Sequence, residues 1–176
     1  MPGRRPREAV KAYVEPLQRN VALICKGVLL PNNYDRLEET SVLTLAEPCM
    51  LNRRTDLFLV FAQEYRVIPD VTNGPYRVTT MGYMYSVESR EGEEIFGYHW
   101  HPTGQSITKF AHIHLGQGAK IGHPDLNSKA HFPTGRVAFE DIVALLIQVF
   151  GAKPNRPTWQ AVAERTRSLF VKHKSW

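Results

Sequence analysis

Apolar residues recur along this chain with two different periods, and the change of period divides it into three stretches. Near the start, Leu17, Val21, Ile24 and Val28 follow helical spacing. Glu8 to Val14 reads as a short first helical piece. Pro16 disfavours helix at Glu15 but suits the first position of a second helix, for which Gly27 is the expected C-cap. "PNNYD" then turns the chain.

From about residue 41 the period falls to two. "SVLTLA" is a short strand, and "DLFLVFAQEYRVI" is a longer one with room for a bend or bulge. "DVTNGP" supplies turn chemistry. "YRVTTMGYMYSVES" alternates, "REGE" reverses the chain, and "EIFGYHW" returns. "FAHIHLG" is one more short strand. Strands joined in sequence by tight turns make an antiparallel sheet.

Residues 116–138 break the pattern with Gly116, Gly118, Gly122, Pro124, Pro133 and Gly135, and read as a long loop of the kind that often carries function. Helical period resumes at "FEDIVALLIQVF". Phe139, Ile142, Val143, Leu146 and Phe150 share a face there, and Glu140 and Asp141 suit the N-terminal dipole. After "AKPNRP", Thr158 can cap a last helix whose apolar side is Trp159, Val162, Leu169 and Phe170. The fold class expected is α+β, an antiparallel sheet with N-terminal and C-terminal helices packed on one face. A frayed basic tail over 1–7 precedes a single domain over 8–176.

Composition changes this picture little and charge changes it more. The chain has 176 residues, 43% of them hydrophobic, and no apolar run near the length of a membrane span. "MPGRRPREAV" has no apolar stretch behind its arginines, so it does not read as a secretory signal. Cys25 and Cys49 have no motif spacing, and a cytoplasmic protein with free thiols is expected. The net charge of +5 sits at the ends, with +3 over residues 1–7, +5 over 151–176 and −3 between. That placement argues against a uniformly basic nucleic-acid surface.

The candidate chemistry lies in "FGYHWHPTGQSITKFAHIHLG". Six of the seven histidines fall between positions 99 and 131. On alternating strands, His99 and His101 share a face opposite Phe96, Tyr98 and Trp100, and His112 and His114 share a face opposite Ala111, Ile113 and Leu115. With Arg90 to Glu93 as a four-residue turn, Val87 pairs with Phe96, Tyr85 with Tyr98 and Tyr83 with Trp100. On the other face Ser86 meets Gly97, Met84 meets His99 and Gly82 meets His101. Gly82, Ser86 and Gly97 would leave a hollow beside the imidazoles. A slip of one residue would put aromatics and histidines on one face, so this register is favoured.

Three readings of that face stay open. Two His-x-His pairs on neighbouring strands can supply three or four ligands to a divalent metal, although within the His stretch only Asp125 is a carboxylate. Without metal, a histidine pair can exchange protons in phosphodiester cleavage, with Lys109, Lys129 or Arg136 on the phosphate. A hydrogen-bonded polar face with no chemistry is the third. "GQGAKIG" lacks the Lys-Ser/Thr of a phosphate-binding loop. The Glu of cupins and the third His of a His-x-His-x-His triad are also missing.

"GYMYSVESREGEEIFGYHWHPTG", "AHIHLG" and "HFPTGRVAFEDIVALLIQVFGAKP" together resemble a family of uncharacterised bacterial proteins, mostly actinobacterial, over residues 55–176. The order of features is also similar to that of TumE-like toxins of toxin–antitoxin systems. Tyr83/Tyr85, Gly92, Phe96/Tyr98, His112/His114 and the 139–150 helix stand in the corresponding places. The resemblance implies a ribonuclease-type toxin acting on RNA and neutralised by an antitoxin partner, while the lack of a long apolar run leaves no membrane partner expected. The expected function is therefore phosphodiester cleavage. His112 and His114 are the acid/base candidates, His99 and His101 come next, and Lys109 and Arg136 are the substrate contacts. No cofactor is required on this reading. A metal held by the same four histidines, or a non-enzymatic subunit of a larger complex, is the alternative.

Overall fold

The computed structural model describes residues 2–32, 36–52, 56–72, 74–103, 105–122, 126 and 130–173. The strands are β1 (Pro2–Gly3), β2 (Leu29–Pro31), β3 (Ser41–Leu45), β4 (Cys49–Asn52), β5 (Leu57–Pro69), β6 (Tyr76–Glu88), β7 (Glu94–Trp100), β8 (His112–Leu115) and β9 (His131–Pro133). The helices are α1 (Pro6–Ile24), α2 (Phe139–Gln148) and α3 (Trp159–His173). The fold is α+β. One antiparallel sheet runs β2-β3-β5-β6-β7-β8-β9, with β1 on β6 and β4 on β5. Among the described residues no helix is long and apolar enough to cross a membrane.

The long hairpin of β5 and β6 is the spine of the sheet. Its register runs from Phe58 opposite Glu88 to Pro69 opposite Tyr76, with a bulge at Glu64/Tyr65 in the strand that had room for a bend or bulge. The β6–β7 pairing matches expectation from Val87–Phe96 through Tyr83–Trp100. In its turn Ser89 N donates to Glu93 O and Gly92 takes φ 80°, a conformation open to glycine.

Packing explains why this register wins. Phe61, Tyr83, Tyr85, Phe96 and Trp100 are all buried on one face. Phe139 of α2 meets Phe61 edge-on at 4.9 Å and Tyr85 at 5.4 Å, and Phe150 lies over Phe96 at 4.8 Å. Each aromatic side chain removes on the order of 150–250 Å² from water. α1, α2 and α3 share this core with the sheet, and Tyr83 Oη accepts from Val137 N at 3.0 Å to hold the approach to α2.

Four expectations about the elements are corrected. Residues 2–7 are not a frayed tail: Gly3 pairs with Tyr76, Pro6 opens α1, and Arg4 N donates to the Glu8 carboxylate. α1 is one helix with Pro16 inside it. An interior proline costs about 3 kcal/mol, but Val10 before it and Leu17, Val21, Leu23 and Ile24 after it are buried at about 1.5–3 kcal/mol each. The helix ends at Ile24 rather than near Gly27, because Asn155 takes over two terminal carbonyls. Its N donates to Leu23 O and its Nδ2 to Ala22 O. The stretch 116–138 is not all loop, since β9 pairs with β8 and Thr134 N donates to Ala111 O. Asn33 to Asp35 of the "PNNYD" turn, Asn73 of "DVTNGP", and His123, Asp125 and Lys129 lie outside the described residues.

The thiols are not free. Cys25, the residue after α1, is bonded to Cys49 at the start of β4, with Cα atoms 6.1 Å apart. The early end of α1 brings the two together. Closing a loop of 24 residues' separation in the unfolded chain is worth about 3 kcal/mol. Cys25→Ala/Cys49→Ala should lower the urea-unfolding free energy by about that amount and raise the m-value, because the unfolded chain without the crosslink exposes more surface.

A buried polar knot joins the three helices. Asn20, Glu140 and Thr166 are each no more than 3% exposed. Asn20 Nδ2 donates to Thr166 Oγ1 at 2.7 Å and Pro16 O at 2.9 Å, and reaches Glu140 Oε1 at 3.4 Å. Burial pushes the Glu140 carboxyl above its ordinary value. A raised carboxyl pKa means that its contribution is fully present below the unfolded value of 4.5 and is lost as pH rises through the folded value. Wild type should therefore lose stability relative to Glu140→Gln as pH rises above 4.5, measured as the difference in thermal midpoint across a pH series.

Candidate metal centre

The face of the sheet opposite the helices carries the histidines. Because side chains alternate, burying Phe96 and Trp100 obliges Gly97 and His99 to point the other way. β8 continues the arrangement, with His99 opposite His112 and Gly97 opposite His114. β9 adds His131 opposite His114.

Gly97 is the hinge of the geometry. A Cβ there would lie 2.6 Å from His99 Nε2, 2.8 Å from Glu94 Oε2 and 3.0 Å from Ser86 Oγ. The missing side chain is the space in which these three groups meet. It also lets the His99 ring drop beside His114, with centroids 4.3 Å apart and His114 Nε2 3.0 Å from His99 Nδ1.

His112, His114 and His99 each offer a nitrogen, and the three lie within 4.8 Å of one another. His112 is 2% exposed and its Nδ1 is 2.9 Å from Phe110 O. A carbonyl only accepts, so Nδ1 carries the proton and Nε2 keeps its lone pair. Burial lowers the pKa of His112, and the charges of His131, His99 and His114 push the same way. These three histidines could hold a metal ion.

Glu94 completes the group, and alternation alone would have hidden it. Position 94 has the same parity as the buried Phe96. A bulge at Val87/Glu88 sets Glu88 opposite Glu94 instead of Ile95 and re-aims the carboxylate to the histidine side. Ser86 Oγ donates to Glu94 Oε2 at 2.5 Å, His99 Nε2 is 3.6 Å from Oε2, and His114 Nδ1 is 2.9 Å from Oε1. The His114 contact is close but off the line of a good hydrogen bond, so this buried nitrogen lacks a well-directed partner. Burial pushes the Glu94 carboxyl up, but contacts from His114, His99 and Ser86 outweigh it and hold the group far below the usual carboxylate range.

The other expected residues are placed apart from this trio. His101 follows the end of β7 with its ring 5.6 Å from His99. Its pKa is lowered by burial and by His99, against the pull of Glu64. Gly82 faces Glu64, whose Oε2 would be 3.2 Å from a Cβ there, so it does not share the Gly97 hollow. Arg136 stacks its guanidinium 3.6 Å above Trp100, on the side that points away from His99, and so belongs to the aromatic face. Lys109 is exposed on the loop between β7 and β8. His131, read from sequence as loop, lies with its ring 4.6 Å from His112 and 5.6 Å from His114. The signal for Glu94 was a charge at a core-parity position beside a turn. The signal for His131 was the short alternation in "HFP".

No protein-family model matches the chain, and no curated protein or solved structure is detectably similar to it.

Gly97→Ala should force His99 and Glu94 apart while leaving the core face intact. The imidazole ¹⁵N shifts of His99 and His114 should change, with far-UV circular dichroism unaltered. Unchanged imidazole shifts would contradict the crowding described here.

Proposed function

We propose that the protein binds a divalent cation of the zinc type at His99, His112 and His114 and serves as a hydrolase built on that centre. The convergence of three imidazole nitrogens within 4.8 Å carries the reading. Two further observations support it. The His112 tautomer is fixed with its Nε2 lone pair unused by the Phe110 contact, and Glu94 lies behind both other rings, as carboxylates behind metal-bound histidines commonly do. Three imidazoles leave a fourth position for water, whose pKa a zinc ion lowers to about 7. A phosphodiester, RNA included, is the substrate class carried forward from the sequence.

One observation favours a second reading. The 3.0 Å contact of His114 Nε2 with His99 Nδ1 is a ready path for a proton, and Glu94 holds both rings. A metal-free acid–base pair of this kind would suit a toxin-type ribonuclease with an antitoxin-like partner. Both readings carry a cytoplasmic setting. The Cys25–Cys49 bond bears against it, because such bonds are more common in oxidising compartments.

Elemental analysis separates the two. Protein purified with zinc in the medium should hold about one equivalent per chain, and His112→Ala/His114→Ala should hold almost none. A wild-type content far below one equivalent that added zinc does not raise would overturn the metal reading. RNA cleavage that survives chelation and disappears in His99→Ala would establish the second.

A further inference from the structure

A separate basic cavity opens on the helical side of the sheet. It has a volume of about 570 Å³ and lies between α1 and the start of α3. Arg19, Arg156 and Arg165 line it, with Thr158 and the small side chains of Ala22 and Ala161 between them. No carboxylate is among the lining residues. Arg19 is paired with Glu15 on the outer surface of α1. Among the described residues Arg156 and Arg165 have neither a hydrogen-bond nor an ion-pair partner. Two unpaired guanidiniums and a third nearby, around one concavity, form a concentration of positive charge that the fold itself does not use.

We propose that this cavity binds a phosphate-bearing anion. A guanidinium presents its N–H donors as a planar fork matched to two oxygens of a phosphate group, and two such forks can hold adjacent phosphates. The exposed hydroxyl of Thr158 lines the same cavity and can donate to a remaining oxygen. The first turn of α3 carries no acidic residue to oppose this charge. The volume suits a small polyphosphate. The site is on the opposite side of the sheet from the histidines and does not depend on what they bind.

Inorganic pyrophosphate is the probe. Titration calorimetry at fixed ionic strength should show saturable binding to wild type, and pyrophosphate should raise its thermal midpoint while sodium chloride of equal ionic strength does not. Each guanidinium removed should weaken binding about tenfold or more, so Arg156→Ala/Arg165→Ala should lose binding by about a hundredfold. Arg165→Lys, which keeps the charge but not the fork, should fall between wild type and Arg165→Ala. Both positions are exposed, and circular dichroism should confirm that the variants are folded. No saturable binding at millimolar pyrophosphate, equal affinity in the double variant, or equal stabilisation by sodium chloride would overturn the proposal.

Discussion

The packing of sheet aromatics against α2 is the constraint on which the rest depends. Phe61, Tyr85 and Phe96 meet Phe139 and Phe150, and a one-residue slip of β6 against β7 would turn one strand's rings away from the helices. A strand has only two faces. Once the rings are buried, Gly97, His99, His112 and His114 have one direction left to point. The histidine cluster thus owes its position to hydrophobic packing on the far side of the sheet, with no interaction among the histidines needed to place it.

That dependence explains how much of the molecule was legible in the sequence. Period two and period 3.6 are properties of single segments, so the sheet, its antiparallel order and the C-terminal helices could be read directly. The pairing of Tyr83 with Trp100 and Met84 with His99 followed from the polarity pattern, although the turn differs from the four residues expected and the bulge at Val87/Glu88 makes up the difference. What escaped were features that depend on two distant parts of the chain at once. Pro16 lies inside α1 because the residues on both sides of it pack on the same core. Cys25 finds Cys49 only because α1 stops where Asn155 caps it. Arg136, expected at the phosphate, is drawn to Trp100 on the opposite face.

The site shows the same division at finer scale. Three of its histidines were named by alternation, and Gly97 and Ser86 were assigned beside them. Glu94 was not, because a bulge changes parity and a bulge leaves only a faint trace in sequence. Yet Glu94 is the group that binds the others into one network, through Ser86, His99 and His114. A carboxylate placed by an irregularity has one property that a regular position would not give it. It reaches across from the first position of β7 to Ser86 on one neighbouring strand and His114 on the other.

The bulge and its neighbours also have a kinetic side. Ser86, Glu94, Gly97, His99, His112 and His114 come from three strands consecutive in sequence, so bringing them together closes only short loops. The pairs between α1 and α3 join opposite ends of the chain and close the longest ones, as in the bond from Asn20 to Thr166. During synthesis the strands that carry the site leave the ribosome well before α3. The order of the chain thus favours a cluster assembled on the hairpins first, with the helical side, where the basic cavity lies, completed last.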